Sequence, residues 1–148
     1  MSRKFYNGHY KPKHPSKYIG DLNNICYRSS WELGLMSWCD LSSKVIHWSS
    51  EETIIPYISP LDNKWHRYFI DFYIELENKK YYIEVKPLKE TKEPKPAKNN
   101  KSKKYITEVT TYIKNISKWE AATKWATSRG ATFAVFTEKT LRQLGINI

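Results

Sequence analysis

The chain has 148 residues and a hydrophobic fraction of 40%, enough for one globular domain that buries a real core. Its 25 lysines and arginines against 15 acidic residues leave a net charge of +10, which points to a polyanionic partner, most plausibly nucleic acid. No apolar run is long enough to span a bilayer, no amphipathic basic helix is evident, and the basic N-terminus lacks the apolar stretch of a signal peptide, so no membrane partner is expected.

Residues 1–20 form a basic arm with Arg3, Lys4, Lys11, Lys13 and Lys17, no acidic residue, and Tyr6, Tyr10 and Tyr18. Pro12 and Pro15 stop a helix there. The arm suits a phosphate backbone with its tyrosines stacked on bases or on the domain, and equally suits a solvated tail. Residues 21–148 read as the folded domain. Cys26 and Cys39 form no CxxC pattern, and His9, His14, His47 and His66 lack zinc-finger spacing to them. Both cysteines are therefore expected to be reduced and packed, without zinc.

A first helix is predicted from Ser29-Ser30 through WELGLMSWCDL, with Trp31, Leu35, Trp38 and Cys39 as its buried stripe. Ser29 and Glu32 have capping-box spacing, a local role that would by itself account for the glutamate. Residues 44–48 and 53–58 have strand composition, and Pro56 marks the second as an edge strand or as one that starts after the proline. Residues 59–63 then turn the chain into HRYFIDFYIELENKKYYIEVK, the stretch from His66 to Lys86.

With a period of two, Tyr68, Ile70, Phe72, Ile74 and Leu76 share one face, and Arg67, Phe69, Asp71, Tyr73 and Glu75 the other. After a short polar link, Tyr82, Glu84 and Lys86 alternate with Tyr81, Ile83 and Val85, so the two runs read as a hairpin. A loop at Glu77-Asn78 sets Asp71 opposite Glu84; a loop at Asn78-Lys79 sets it opposite Lys86 with Glu84 on the diagonal. Either register gathers the three side chains on one face, with Cβ atoms roughly 5–8 Å apart. Two carboxylates so placed repel unless a cation lies between them, and Mg²⁺ accepts one or two carboxylates plus phosphate oxygens. Lys86 would project beside the ion and orient or deprotonate a water. A cross-strand ion pair on a solvated face satisfies the same pattern.

Beyond Lys86 the periodicity lapses into PLKETKEPKPAKNNKSKK. Lys86, Lys89, Lys92, Lys95, Lys98 and Lys101 recur every third residue, the repeat of polyproline II, and could line one face along a DNA backbone. A flexible surface loop is the competing reading. A long helix follows from about Lys104 to Ser128, stopped by Gly130. Ile106, Val109, Ile113, Ile116, Ala121 and Trp125 are placed on the sheet, and Lys114, Lys118 and Lys124 in solvent. Residues 131–137 read as a buried strand added in parallel, and the chain ends in a short helix capped at Thr137 or Thr140.

Asp71, twelve residues, then Glu84-Val85-Lys86 resembles the PD-(D/E)xK nuclease motif, with Ile70 in place of the usual proline. The element order resembles that family's αβββαβ core, an α/β fold of the restriction-endonuclease type with a mixed sheet flanked by helices. The phrases IPYISPLDNKWHRYFIDFYIE, YYIEVKP and KWEAATKWATSRGATFAVFTEK look like TnsA-like transposon endonucleases, and still more like small nucleases of tailed bacteriophages.

The resemblance implies metal-assisted phosphodiester hydrolysis of double-stranded DNA during phage head maturation. Its setting would be the host cytoplasm and then the virion, with head and neck proteins as partners. Asp71 and Glu84 would hold Mg²⁺ (or Mn²⁺), with the Val85 carbonyl and Glu32 as further contacts and Lys86 acting on the water. The run YRSSWE resembles the family's helix start, where a glutamate touches the metal or its water. Arg67 is a candidate phosphate contact or an ordinary surface cation. A DNA-binding head protein that keeps the fold without turnover is the alternative. The intact Asp71, Glu84 and Lys86 set favours the enzyme, because bare carboxylates repel phosphates.

Overall fold

The structure, a computed structural model, describes residues 7–96 and 102–148. In chain order the first elements are β1 (Gly8–His9), β2 (Cys26–Tyr27), α1 (Ser30–Leu41), β3 (His47–Ser50), β4 (Ile54–Ser59) and β5 (Lys64–Phe69). They are followed by β6 (Phe72–Glu75), β7 (Lys80–Val85), α2 (Lys103–Ser128), β8 (Thr132–Phe136) and α3 (Glu138–Gln143). The central sheet is mixed, in the order β3-β6-β7-β8, with β8 added parallel to β7 and the other pairs antiparallel. This is the α/β architecture expected, with α1 and α2 on opposite faces. As the last strand of the sheet, β8 is half-buried rather than enclosed.

The hairpin between β6 and β7 pairs Glu75 with Lys80 and Phe72 with Ile83, and the Leu76 amide donates to the Lys79 carbonyl at 2.8 Å. The loop is therefore Glu77-Asn78. One expectation fails here: Tyr68 to Leu76 is not a single strand. β5 ends at Phe69 and pairs only with β4, while β6 begins at Phe72 and pairs with β3 and β7. The intervening Ile70 amide donates to Thr53, and the Glu51 amide to the Asp71 carbonyl at 3.1 Å.

The break redistributes the apolar residues between two cores. Tyr68 and Ile70 pack with Ile55, Tyr57, Trp119 and Ala122 under α2. Phe72 and Ile74 pack with Trp48, Leu35, Met36 and Ile83 under α1. Asp71 stands where the chain passes from one core to the other.

β4 and β5 form a separate two-stranded ribbon, so Pro56 does lie on an edge. Its inner face, with Ile55, Tyr57 and Tyr68, is covered by α2. Its outer face exposes Ile54, Ile58, Trp65 and Phe69. Arg67 stands on that outer face with its guanidinium 5.5 Å from the Phe69 ring centroid.

The buried positions of α2 are Asn115, Trp119, Ala122 and Ala126, a stripe at intervals of four, three and four residues. That stripe only partly matches the expected one: Ile116, Ala121 and Trp125 pack against the core as expected, whereas Ile106 and Ile113 are 53% and 40% exposed. Alanine, not the larger isoleucines, occupies the closest approach to the sheet, where a bulky side chain would hold the helix away. Gly130 has φ 71° and the Ala131 amide bonds Ala126 at 2.9 Å, ending the helix where expected. At α3 the Thr137 amide donates to Thr140 Oγ1 at 3.3 Å.

Within the basic arm, residues 7–20 are docked on the domain, whereas Arg3, Lys4 and Tyr6 lie outside the described residues. β1 pairs with β2, and the Tyr18 ring meets Trp48 edge-on at 4.7 Å, so Tyr18 is not available to a base. The fastening is Asp40, fully buried at the end of α1. It accepts from Tyr10 Oη at 2.6 Å and from the Lys13 and His14 amides at 2.7 and 2.9 Å. Lys17 Nζ in turn caps the helix by donating to the Asp40 and Ser42 carbonyls at 2.9 and 2.8 Å.

Burial opposes the Asp40 charge, but the hydrogen bonds from Tyr10, Lys13 and His14 outweigh it and hold the carboxyl below its ordinary range. Such a group stabilises the fold above its unfolded pKa, near 3.9, and that stability is lost as pH falls through the folded value. Asp40→Ala strands buried donors and should lower unfolding free energy by about 3 kcal/mol in urea titrations at neutral pH. Asp40→Asn should also flatten the acid limb of the stability curve.

Candidate active site

The register of the β6–β7 hairpin, carried one pair past Phe72 and Ile83, sets Asp71 across from Glu84. Both lie on the α2 side of the sheet, where Tyr82, Glu84 and Lys86 alternate with the core residues Ile83 and Val85. Of the two registers the sequence left open, the structure adopts the one that opposes the carboxylates directly.

Each carboxylate is oriented. The Val85 amide donates to Asp71 Oδ2 at 2.9 Å. Trp119 Nε1 donates to Glu84 Oε2, so the indole on α2 fixes the angle of the glutamate. Glu84 is only 6% exposed, and no cationic side chain pairs with either carboxylate among the described residues. Burial and the facing Glu84 push the Asp71 carboxyl well above its ordinary value; the Val85 amide and Lys86 oppose this, while Glu32 adds to it. Tyr68, 2% exposed, turns a hydroxyl without a hydrogen-bond partner toward this space. Burial, then Glu84 and Asp71, keep that phenol protonated.

Two facing carboxyls with no cationic side chain paired to either among the described residues make a chemical environment that fits a divalent cation with oxygen ligands. Among the described residues no group of three or more His, Cys, Asp or Glu converges, so a bound ion would complete its shell from backbone carbonyl, water and substrate oxygens.

Ser29 caps the helix, and the Glu32 side chain meets the Ser29 hydroxyl rather than the backbone amide that a capping box would use. The Glu32 amide donates to Ser29 Oγ at 3.2 Å, and its Oε2 accepts from the same hydroxyl at 3.1 Å. Burial raises its pKa, with the Ser29 hydrogen bond opposing. It reaches Asp71 through its field. Arg67 faces away from the Tyr68 side of the ribbon. Glu75 is paired with His47 at 2.6 Å.

The lysine-rich segment does not run as a continuous polyproline helix: residues Leu88–Thr91 form a 3-10 turn. Lys89 and Lys92 line a groove of about 410 Å³ against α2, with Thr107, Thr111, Tyr112 and Asn115 opposite and Glu90 and Glu108 at its sides. Lys95 is exposed, and Lys98 and Lys101 lie outside the described residues.

Three side chains at this site were not predicted there. Trp119 was legible from the spacing Asn115, Trp119, Ala122, Ala126. Tyr68 packs in the core, as its place among the alternating apolar residues implies, and its hydroxyl also borders the carboxylates. Lys118 was placed in solvent but is half-buried, its Nζ 5.2 Å from the Tyr68 ring centroid. Burial lowers its pKa, Glu84 and Asp71 oppose that, and Lys114 and Lys86 reinforce it.

This fold and motif arrangement define a class. Residues 42–138 match the family described as TnsA-like endonuclease N terminal, and the chain belongs to that family. Among curated proteins it is 40% identical over 144 residues to the head completion nuclease of Enterobacteria phage T4, covering 95% of this chain and 96% of the relative. No solved structure matches.

Because a raised carboxyl pKa means the metal-free fold binds the extra proton, Asp71 makes that fold less stable as pH rises through this range. Asp71→Asn should therefore raise the melting temperature in EDTA at neutral pH by a few degrees. Added Mg²⁺ should raise the wild-type value and leave the variant's unchanged; calorimetric scans with and without metal read both.

Proposed function

We propose that this protein is a divalent-metal-dependent endonuclease that hydrolyses phosphodiester bonds of double-stranded DNA. Mg²⁺ is the metal, and Mn²⁺ can replace it. The observation that carries the reading is the opposed pair Asp71 and Glu84, the glutamate buried and neither carboxylate paired to a cationic side chain among the described residues, beside Lys86 on the same sheet face.

Asp71 and Glu84 hold the ion, with the Val85 carbonyl as a further ligand and Glu32 as an outer contact to water. When bound, the metal polarises the phosphoryl oxygens and stabilises the charge that builds in the transition state. Lys86 orients the attacking water at the edge of the carboxylate pair. The Val85 amide and the Trp119 indole hold the two carboxylates at fixed angles, which limits the rearrangement needed when substrate arrives. Lys89, Lys92, Lys95 and Lys98 draw the phosphate backbone toward the site. Arg67 belongs to DNA further along, on the outer face of the ribbon.

The relative's name supports placing the activity in phage head completion. Head and neck proteins are then the partners, and the host cytoplasm followed by the virion is the setting.

Nicking of supercoiled plasmid tests the reading. Wild-type protein should nick or linearise it in Mg²⁺ and not in EDTA. Asp71→Ala, Glu84→Ala and Lys86→Ala should each lose roughly 100-fold or more, the scale of removing one electrostatic element from a reacting centre. Cleavage that survives Glu84→Ala would place the site elsewhere. DNA binding without any cleavage would support a structural role for the fold.

A further inference from the structure

We infer that Lys118 forms a phosphate-binding subsite of the candidate active site, taking a phosphodiester oxygen of the DNA strand that lies across Asp71 and Glu84. The inference rests on the endonuclease reading, and it adds a basic residue from the helix to the Asp71, Glu84 and Lys86 set of the hairpin.

Lys118 precedes Trp119, whose indole holds Glu84, and is three residues on from the buried Asn115, so α2 carries it to the margin of the site. Its ammonium lies 5.2 Å from the centroid of the Tyr68 ring, whose own hydroxyl is buried on the Glu84 side. The lysine thus meets the face of the tyrosine ring, and the tyrosine hydroxyl meets Glu84. Among the described residues the Lys118 ammonium makes no ion pair and no hydrogen bond, although the side chain is half-buried.

Removing a lysine from water without an anionic partner is unfavourable, and one aromatic face offsets only part of that. A lysine needed to neutralise Glu84 would contact it, yet the glutamate's hydrogen bond comes from Trp119. Water serves the remaining N–H donors until an anionic acceptor replaces it. In a site lined by carboxylates on one side and by Lys86 and Lys89 near the exit of β7, the matching ligand is a phosphate oxygen of the backbone. The aromatic platform keeps the cation in place before substrate binds, so little ordering is required on contact.

The test uses the full chain with Lys118→Met, which keeps the stem against Tyr68, and Lys118→Arg, which keeps the charge. Two readouts are combined: steady-state plasmid nicking, and binding of a fluorescent duplex over a salt series in Ca²⁺ without turnover. Lys118→Met should lower kcat/KM roughly 10- to 100-fold, the range for one charge-assisted hydrogen bond, with Lys118→Arg recovering most of it. Its log–log salt slope should fall by about one. The melting temperature should stay at the wild-type value.

Wild-type kcat/KM and salt slope in Lys118→Met would overturn the subsite. So would a loss that arginine does not restore while the slope is unchanged, which marks a packing role. Glu84→Ala runs in parallel: if wild type fails to cleave, or Glu84→Ala still cleaves, the endonuclease reading fails, and the salt slope still decides Lys118.

Discussion

The structure depends on an unfavourable interaction kept in place: Asp71 and Glu84 face each other across neighbouring strands with no cationic side chain of the described residues paired to either. Surface carboxylates would simply turn apart. Here the Val85 amide holds one and the Trp119 indole the other, while Tyr68 and the packing of α2 exclude the water that would screen them. Such a pair lowers the stability of the metal-free fold. Its retention makes sense in a chain whose family is defined by an endonuclease domain.

The rest of the fold reads as the apparatus that keeps the pair opposed. The strand that carries Asp71 is interrupted so that its upstream half joins the ribbon under α2 and its downstream half enters the central sheet. Asp71 thereby sits at a fixed crossing between two cores, pinned by the Ile70–Thr53 and Glu51–Asp71 backbone bonds. Motion of either core would be felt at the carboxylate. On the far side, the N-terminal segment is locked to α1 through Asp40, which stabilises the helix that presents Glu32.

Much of this was legible in the sequence because local rules determine it. The hairpin, the Ser29 cap, the Gly130 stop and the parallel strand after α2 each follow from turn chemistry, capping or the handedness of crossovers. The gathering of Asp71, Glu84 and Lys86 on one face followed from period-two alternation and the hairpin together, and their chemical reading from the resemblance to the PD-(D/E)xK motif. What local rules could not give was the break at Ile70-Asp71, because the alternation of apolar residues continues through it while the strand's partners change. The inward stripe of α2 follows the apolar pattern only in part for a related reason: Ile116, Ala121 and Trp125 pack inward, but Ala122 and Ala126 are buried while Ile106 and Ile113 are exposed, and closeness of approach is a tertiary property. The docking of residues 7–20 depends on Asp40, a contact between positions distant in sequence.

The central claim is that a divalent cation belongs between Asp71 and Glu84. The most direct measurement is an anomalous difference map from crystals of the full chain grown with Mn²⁺. The account predicts a peak bounded by the carboxyl oxygens of Asp71 and Glu84, absent from crystals of Glu84→Gln grown in the same way. Mn²⁺ bound elsewhere, with Asp71 and Glu84 left facing each other without it, would contradict the account.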